Sequence, residues 1–455
     1  MALRSRPALT AWVAVITASA FGPYVHAVGP YVLEGVRTEQ LIVYLSAAVV
    51  LAFFVPCIIE STAAPLPFIL VWGGLLAVAA IGAAWPTLNL TGYSSGTVAA
   101  GLDNFALPLA VMLLTWFWVS VLDRRVLLRV VCLVIVILMT VNAVIAIWSA
   151  YRGATNSLGW LPSFWSSSDE SVAALVLGSG RFTGVFNSPV EAGFTYSLAL
   201  FCLFYLLSVN RSRSARKLVP GILLAVGGIL TVSKLFFLVG LPLAIFLVFW
   251  QHRRRLRIFV TAGVVGAGVW LLSATGSFPQ WLGAGTISRL FAAKGGGAAR
   301  ALTAGRLGDR GTLLPVARTV LRSNPGFGLG AGGLRVPYDS TWLEALATAG
   351  LFGVILNGVI FLMLVKRWLS VRGNMPRPAC LLAGTTITLA LFGSLGFPSL
   401  TANRTSTLVW LILGLTVVTF PLSRDEVGMR SLDSGRDGPE PVRQSSAPSG
   451  DTRQL

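Results

Sequence analysis

The sequence predicts an all-α polytopic membrane protein with about 12 transmembrane helices and one long outer loop containing an amphipathic helix. Three observations predict it. The 455 residues are 55% hydrophobic and only 11% charged, against roughly 25% charged in soluble domains. The apolar residues fall into runs of about 20, the length that crosses a hydrocarbon core of about 30 Å. The basic residues gather between these runs, where they orient a polytopic chain.

Taken in order, apolar runs place spans near 8–28, 39–59, 66–85, 101–122, 126–150 and 190–209. Further spans fall near 218–233, 235–251, 256–275, 340–365, 379–397 and 404–422. Arg4, Arg6, the first apolar run and Ala18-Ser19-Ala20 resemble a signal peptide. An uncleaved first span is the preferred reading, because many spans follow and the positive-inside count works with it retained. From 423 onward the chain is rich in Ser, Asp and Arg and reads as a disordered cytoplasmic tail. Residues 1–422 thus form one transmembrane domain, which includes the long loop 277–339.

The run from Leu218 to Trp250 is too long for one crossing, and Ser233-Lys234 interrupts it. Arg211, Arg213, Arg216 and Lys217 precede it, and Arg253, Arg254, Arg255 and Arg257 follow. Both basic flanks favour the inner side, so the chain must cross twice. Lys234 then sits at the outer tip of a short hairpin, which avoids the cost of about 2.5–3.5 kcal/mol for a lysine at mid-membrane.

With twelve spans both termini are inside, leaving 22 Lys and Arg on the inner side and 13 on the outer. Eight of the outer ones lie in the loop 277–339: Arg289, Lys294, Arg300, Arg306, Arg310, Arg318, Arg322 and Arg335. That loop has only two acidic residues, Asp309 and Asp339. A basic outer loop runs against the topological trend and asks for an anionic partner. Gly295-Gly296-Gly297 reads as a flexible stretch. From Asp309 to Ser323, Leu313, Leu314, Ala317, Val320 and Leu321 recur at helical spacing, with Arg310, Arg318 and Arg322 on another stripe. This pattern predicts an amphipathic helix at the outer interface. Asn324-Pro325-Gly326 ends it, and Gly326 to Gly333 forms a Gly-rich turn.

The formal charge of +18 is spread over short loops, so topology explains it. No aromatic-basic platform, zinc-finger spacing or recognition helix points to nucleic acid. Cys57, Cys132, Cys202 and Cys380 lie inside apolar runs and read as small buried hydrophobes. No His, Cys and carboxylate cluster has metal-ligand spacing, and His26 and His252 lie away from any candidate site. No metal or cofactor is expected.

Four segments carry candidate chemistry, all at the outer face of this topology. They are Arg181-Phe182-Thr183-Gly184-Val185-Phe186-Asn187-Ser188-Pro189, Thr231-Val232-Ser233-Lys234, Gly305-Arg306 with Arg310, and Asp339-Ser340 with Gly350-Leu351-Phe352-Gly353. Arg offers a planar fork of donors to phosphate and Lys a compact charge. Arg181, Lys234, Arg306, Arg310, Arg318 and Arg322 are therefore candidate ligands of a pyrophosphate at headgroup level, and Asp339 is the nearby proton acceptor. Each has a plainer alternative. Outer arginines bind lipid phosphates nonspecifically, and Lys234 snorkels. Asp339, Ser340 and Thr341 read as a helix N-cap, with Thr341 and Glu344 as a capping box. Asp103 and Glu191 near outer span ends are structural by default, although intramembrane carboxylates are worth testing. Gly350 and Gly353 read as close-packing positions.

In this order the motifs resemble those of the O-antigen ligase/polymerase superfamily of bacterial envelope glycosyltransferases. That family's R-x-T-G-x-F-x-x-P segment matches Arg181 to Pro189, and its T-x-S-R matches Thr231 to Lys234 with lysine for arginine. Its G-R and P-x-x-G-x-G match Gly305-Arg306 and Pro325 to Gly330. Its H-[NSQ]-x9-G-x-x-G matches Asp339-Ser340 and Gly350 to Gly353, with aspartate for histidine. The similarity spans roughly residues 180–365 and the general span layout.

The resemblance implies a metal-independent glycosyltransferase of the bacterial inner membrane, with its active site facing the periplasm. It would polymerise undecaprenyl-pyrophosphate-linked oligosaccharide repeats into O-antigen or exopolysaccharide. Asp339 is then catalytic, and Arg181, Lys234, Arg306, Arg310, Arg318, Arg322 and Ser340 bind substrate. A chain-length-regulating co-polymerase is an implied partner beside the donor and the bilayer. Polymerase is preferred because aspartate replaces the ligase-like histidine. Ligase-type transfer of glycan to lipid A core or protein, and polysaccharide transport, stay open as alternatives.

Overall fold

A computed structural model describes residues 7–21, 31–33, 36–54, 65–84, 98–152, 180–186, 188–209, 218–251, 313–333 and 340–421. The protein is a helical membrane protein. Five of its helices are long and apolar enough to cross a bilayer, and six shorter apolar helices accompany them among the described residues. The expected span near 256–275 lies outside the described residues, as do Cys57, the Gly295–Gly297 stretch and nearly all of the tail. Contacts divide the chain into Met1–Phe420 and Pro421–Leu455.

The first unit begins with α1 (Pro7–Ser19), then a short antiparallel pair, β1 (Tyr31–Leu33) and β2 (Val36–Arg37), which leads into α2 (Thr38–Phe53). Next come α3 (Leu66–Ala83), α4 (Val98–Val121) and α5 (Arg124–Arg152). The α4–α5 corner is tight because Asp123 caps α5, its carboxylate accepting the Arg125 N–H at 2.7 Å. Leu127 N–H returns to Asp123 O at 3.0 Å. After α6 (Pro189–Val209) and α7 (Leu218–Leu230), a π-helical turn (Phe236–Gly240) runs into α8 (Leu241–Gln251). Then follow the amphipathic α9 (Leu313–Ser323), α10 (Thr341–Val371), α11 (Arg377–Gly393) and α12 (Asn403–Leu413), which ends in a second π turn (Gly414–Val418).

The break at Ser233-Lys234 is a true reversal. A side chain on Gly193 of α6 would meet Ser233, and Gly240 approaches Ser197, so residues 233–240 run parallel to α6. Gly227 approaches Tyr196 and Gly221 approaches Leu203, so α7 runs antiparallel to it. Both limbs therefore descend α6 from its N-terminal end. The turn is sharp enough to place Val232 at φ +49°, a rare value for a β-branched residue.

The core is the shared interior of these helices. Trp72, Trp118, Trp410, Phe105, Phe117 and Phe194 are fully buried. Trp72 of α3 meets Trp410 of α12 edge-on, with ring centroids 5.0 Å apart. Its indole N–H donates to Phe105 O of α4 at 2.6 Å. One side chain thus ties three helices. Trp72→Ala is expected to cost about 3–5 kcal/mol and to lower the heat-aggregation midpoint of the detergent-solubilised protein clearly; an unchanged midpoint would show that the contact is dispensable.

The two ends of the bundle differ. At one end Arg124 donates to Thr419 O at 2.8 Å and lies 4.5 Å over the Phe420 ring, while Arg367 donates to Phe420 O. Two arginines there satisfy the carbonyls that end the last helix. The candidate site lies at the other end.

Candidate functional site

The segment 181–186 turns back on itself before α6. Thr183 is fully buried, and its hydroxyl donates to Phe186 O. Gly184 adopts φ +66°, and Asn142 of α5 fills the place where its side chain would be. The Asn142 amide accepts from Val185 N at 2.8 Å and donates to Thr183 O at 3.2 Å and to the Tyr196 hydroxyl at 3.0 Å. On the other side, Arg404 of α12 donates to Val185 O at 3.0 Å, with its guanidinium 6.0 Å from the Phe186 ring centroid. Phe186 also meets Phe21, just past α1, edge-on at 6.3 Å.

This segment is fastened to the hairpin tip by a backbone bond, Phe182 N to Leu230 O at 2.9 Å. Thr231 and Ser233 are buried at the tip. The Ser233 hydroxyl oxygen has no hydrogen-bond partner among the described residues. A strained Val232 beside an unsatisfied buried hydroxyl is a pattern that clusters at functional sites. Arg181 and Lys234, half-buried, thus belong to two joined segments at one end of the bundle.

The N-terminal turn of α12 continues the connection. Arg404 is 2% exposed, and next to it the Thr405 hydroxyl lies 3.5 Å from the Glu191 carboxylate in the first turn of α6. Thr401, just before α12, donates to the carboxylate of Glu344 on α10. Asn104 of α4 donates to the other Glu344 oxygen at 3.1 Å. Beside it, Asp103 accepts from Gln40 and Tyr44 of α2.

The start of α10 differs from the capping box expected of Thr341 and Glu344. The cap is Ser340, whose hydroxyl accepts from Trp342 N at 3.2 Å and donates to Ser394 O at 2.9 Å. Glu344 does not reach back to the cap. It is 2% exposed and turned to Asn104 and Thr401, which lie on other elements. Thr341 likewise points inward, donating to Phe397 O at 3.1 Å.

The Gly-rich turn expected from Gly326 to Gly333 is formed, and it acts as an inserted wedge. Gly350 interrupts α10 at φ +61°, ψ −152°. The amides freed by this break are taken by the turn: Leu351 N donates to Pro325 O at 2.8 Å and Phe352 N to Gly326 O at 3.3 Å. In return Leu329 N donates to Ala347 O at 2.7 Å. On the far side Ala331 N donates to Ala79 O of α3 at 3.0 Å. Gly328 and Gly330 both have φ near +70° and touch backbone of α10 and α3. A glycine pattern read as close packing of helices is therefore a backbone-to-backbone joint.

Of the amphipathic helix expected from Asp309 to Ser323, the described part is α9, Leu313–Ser323; residues 309–312 lie outside the described residues. Val320 is its buried contact, whereas Leu321 is 45% exposed. Arg318 and Arg322 are exposed on the same helix. Arg306, Arg310 and Asp339 lie outside the described residues.

Sequence reading did not single out Asn142, Arg404, Asn104 or Thr401. Arg404 carried a usable signal, a lone cation at the outer start of an apolar run; the others carried none. Among the described residues no three His, Cys, Asp or Glu side chains stand close enough to hold a metal ion. No protein-family model, no curated protein and no solved structure matches the chain.

Proposed function

We propose that the protein is a membrane glycosyltransferase that polymerises undecaprenyl-pyrophosphate-linked oligosaccharide at the periplasmic face of a bacterial inner membrane, both termini being cytoplasmic. One observation carries the reading. A chain of contacts from Leu230 through Phe182, Val185, Arg404, Thr401 and Glu344 gathers three separated motif segments at one end of the bundle. Cations from two of them, Arg181 and Lys234, thereby share that end. Joined basic segments at the headgroup level of a helical membrane protein suit a lipid-linked pyrophosphate.

In this proposal Arg181 and Lys234, with Arg306 and Arg310 from the long loop, bind the donor pyrophosphate. Arg318 and Arg322 on α9 hold the surrounding headgroup region. The acceptor sugar hydroxyl attacks the anomeric carbon of the donor, and its proton passes to the Asp339 carboxylate. The bond from that carbon to the pyrophosphate oxygen breaks, and the lipid pyrophosphate leaves with its added charge stabilised by the cations. Ser340, as the cap of α10, fixes the helix start next to Asp339. A ligase would use the same donor with another acceptor.

One feature favours a flippase for the same lipid: α10 is broken at Gly350, and transporters build sites at interrupted helices. Here the break is filled by the backbone of the 325–333 turn, which supports a structural role for it.

The test is a gel of surface and lipid-linked glycan from a deletion strain carrying wild type or Asp339→Asn at matched protein level. Collapse of the ladder to one repeat in both the deletion and the mutant is the expected result. Long lipid-linked chains that are never attached would mean a ligase. Single repeats trapped on the cytoplasmic side would mean a flippase. A normal ladder from the mutant would remove Asp339 from the mechanism.

A further inference from the structure

We infer that Asn142 is a positioning residue: its side-chain amide holds the 183–186 turn so that Arg181 is fixed over the hairpin tip before any ligand arrives. The inference rests on the reading of Arg181 as an anion-binding residue.

The geometry is specific. Asn142 lies well inside α5 and is 2% exposed. A buried primary amide must place one acceptor and two donor hydrogens. Its oxygen takes the Val185 N–H, and its nitrogen serves Thr183 O and the Tyr196 hydroxyl. Two of the three bonds thus grip the backbone of one turn on either side of Gly184, and the third anchors the amide to α6. Gly184 is required by this grip: at φ +66°, an added methyl would sit 2.1 Å from the Asn142 oxygen. Arg404 braces the same turn at Val185 O. Upstream, Phe182 N is tied to Leu230 O. Arg181 therefore leads into a strap held at Phe182 N, Thr183 O, Val185 N and Val185 O.

Preformed binding groups avoid the ordering cost that a loose cation would incur on binding. The Asn142 amide is the polar device that achieves this in an apolar helix, where the residue has no other role visible in its contacts. An aspartate there keeps the oxygen facing Val185 N but turns a second oxygen towards Thr183 O, replacing attraction with repulsion.

The experiment has two readouts on the full-length protein. In the first, Arg181→Cys is labelled in membranes with a water-soluble maleimide, the reaction of the parent chain being subtracted. Adding Asn142→Asp or Gly184→Ala should raise the labelling rate several-fold. Adding Tyr196→Phe, which removes only the anchor outside the turn, should leave it within twofold, although this site is equally buried. In the second, binding of farnesyl pyrophosphate is measured in detergent. Arg181→Ala and Asn142→Asp should each weaken it about tenfold or more, as loss of a charge-assisted bond does, and the double variant no further than Arg181→Ala alone.

An unchanged labelling rate with both Asn142→Asp and Gly184→Ala overturns the positioning role, whatever the binding data show. Faster labelling with Tyr196→Phe as well reduces Asn142 to ordinary packing. Faster labelling in the turn variants alone, with Arg181→Ala binding as wild type, refutes the anion reading of Arg181 instead.

Discussion

Gly350→Ala is expected to destabilise the protein more than any other single substitution at the candidate site. The backbone there holds φ +61°, ψ −152°, a region essentially restricted to glycine, where a side chain costs about 1–3 kcal/mol. The new methyl would also sit 2.2 Å from Gly326 O and 2.6 Å from Gly328 N. Neither neighbour can yield. Gly326 O accepts from Phe352 N, and Leu329 N in the same turn donates to Ala347 O. Relieving the clash means drawing the whole 325–333 turn away from both α10 and α3. The combined cost should exceed about 3 kcal/mol, in the range of rare severe substitutions. Heating the detergent-solubilised protein and following the monodisperse fraction should show a large fall in midpoint, or no folded protein at all. By contrast Gly373→Ala should behave as wild type, since nothing lies within 4 Å of the added group. A Gly350→Ala chain as stable as its parent would mean that the break in α10 is not held by the turn.

The same glycine shows how far the sequence can be read. Hydropathy predicts apolar helices where the described residues form them, because membrane insertion is governed by local composition. The reversal at Ser233-Lys234 is legible for that reason: two cationic flanks that favour the same side require the chain between them to double back. Gly350 was legible as one glycine of a motif and as a close-packing position, but not as a break in the helix. Its true role depends on the turn at 325–333, and nothing in the intervening sequence says that the two meet. Glu344 is the clearer case. Its spacing from Thr341 suits a capping box, a local pattern, but its carboxylate goes to Asn104 and Thr401, 240 and 57 residues away. Distant donors of suitable geometry won over the local N–H of Thr341, which donates instead to Ser394 O at 3.0 Å, just past α11. Asn142 is invisible in the same way, one amide in an apolar run until the turn it holds is folded beside it.

Arg404 marks the boundary between the two kinds of information. As sequence it is a lone cation at the expected outer start of an apolar run, against the positive-inside trend. In the fold it is nearly sealed from solvent and bonded to Val185 O, so that the last helix becomes the brace for a segment 219 residues earlier. Such residues explain why the candidate site was legible as a set of motifs but not as an arrangement. The motifs name candidate groups; the groups that hold the motif segments together are ordinary polar residues chosen by long-range contact.

The second large effect concerns the two cations themselves. On the proposed function, Arg181→Ala and Lys234→Ala are each expected to slow glycan extension by about 10- to 100-fold, the loss of a charge-assisted contact to pyrophosphate being about 1.5–3 kcal/mol. The double variant should make no measurable product. The two side chains sit on segments joined through Phe182 N and Leu230 O, so on the proposed function they would approach the donor from adjacent backbone and act on the same charge. Lys234→Arg should retain activity, because guanidinium and ammonium both serve phosphate and the tip offers a half-buried position rather than a tight slot. Lys234→Gln separates charge from length: it keeps a long polar side chain and should be nearly as impaired as alanine. The measurement is extension of a purified lipid-linked repeat by purified protein, resolved on a gel over time, with each variant first matched for thermal midpoint. Folding defects would lower the amount of active protein but leave the salt dependence of the remainder unchanged. Loss of a cation instead weakens donor binding and makes it less sensitive to added salt, since screening acts on the charge that is gone. A double variant that extends glycan at the wild-type rate would leave these two residues as topological anchors, and the anion site would have to be sought among the arginines of the long loop.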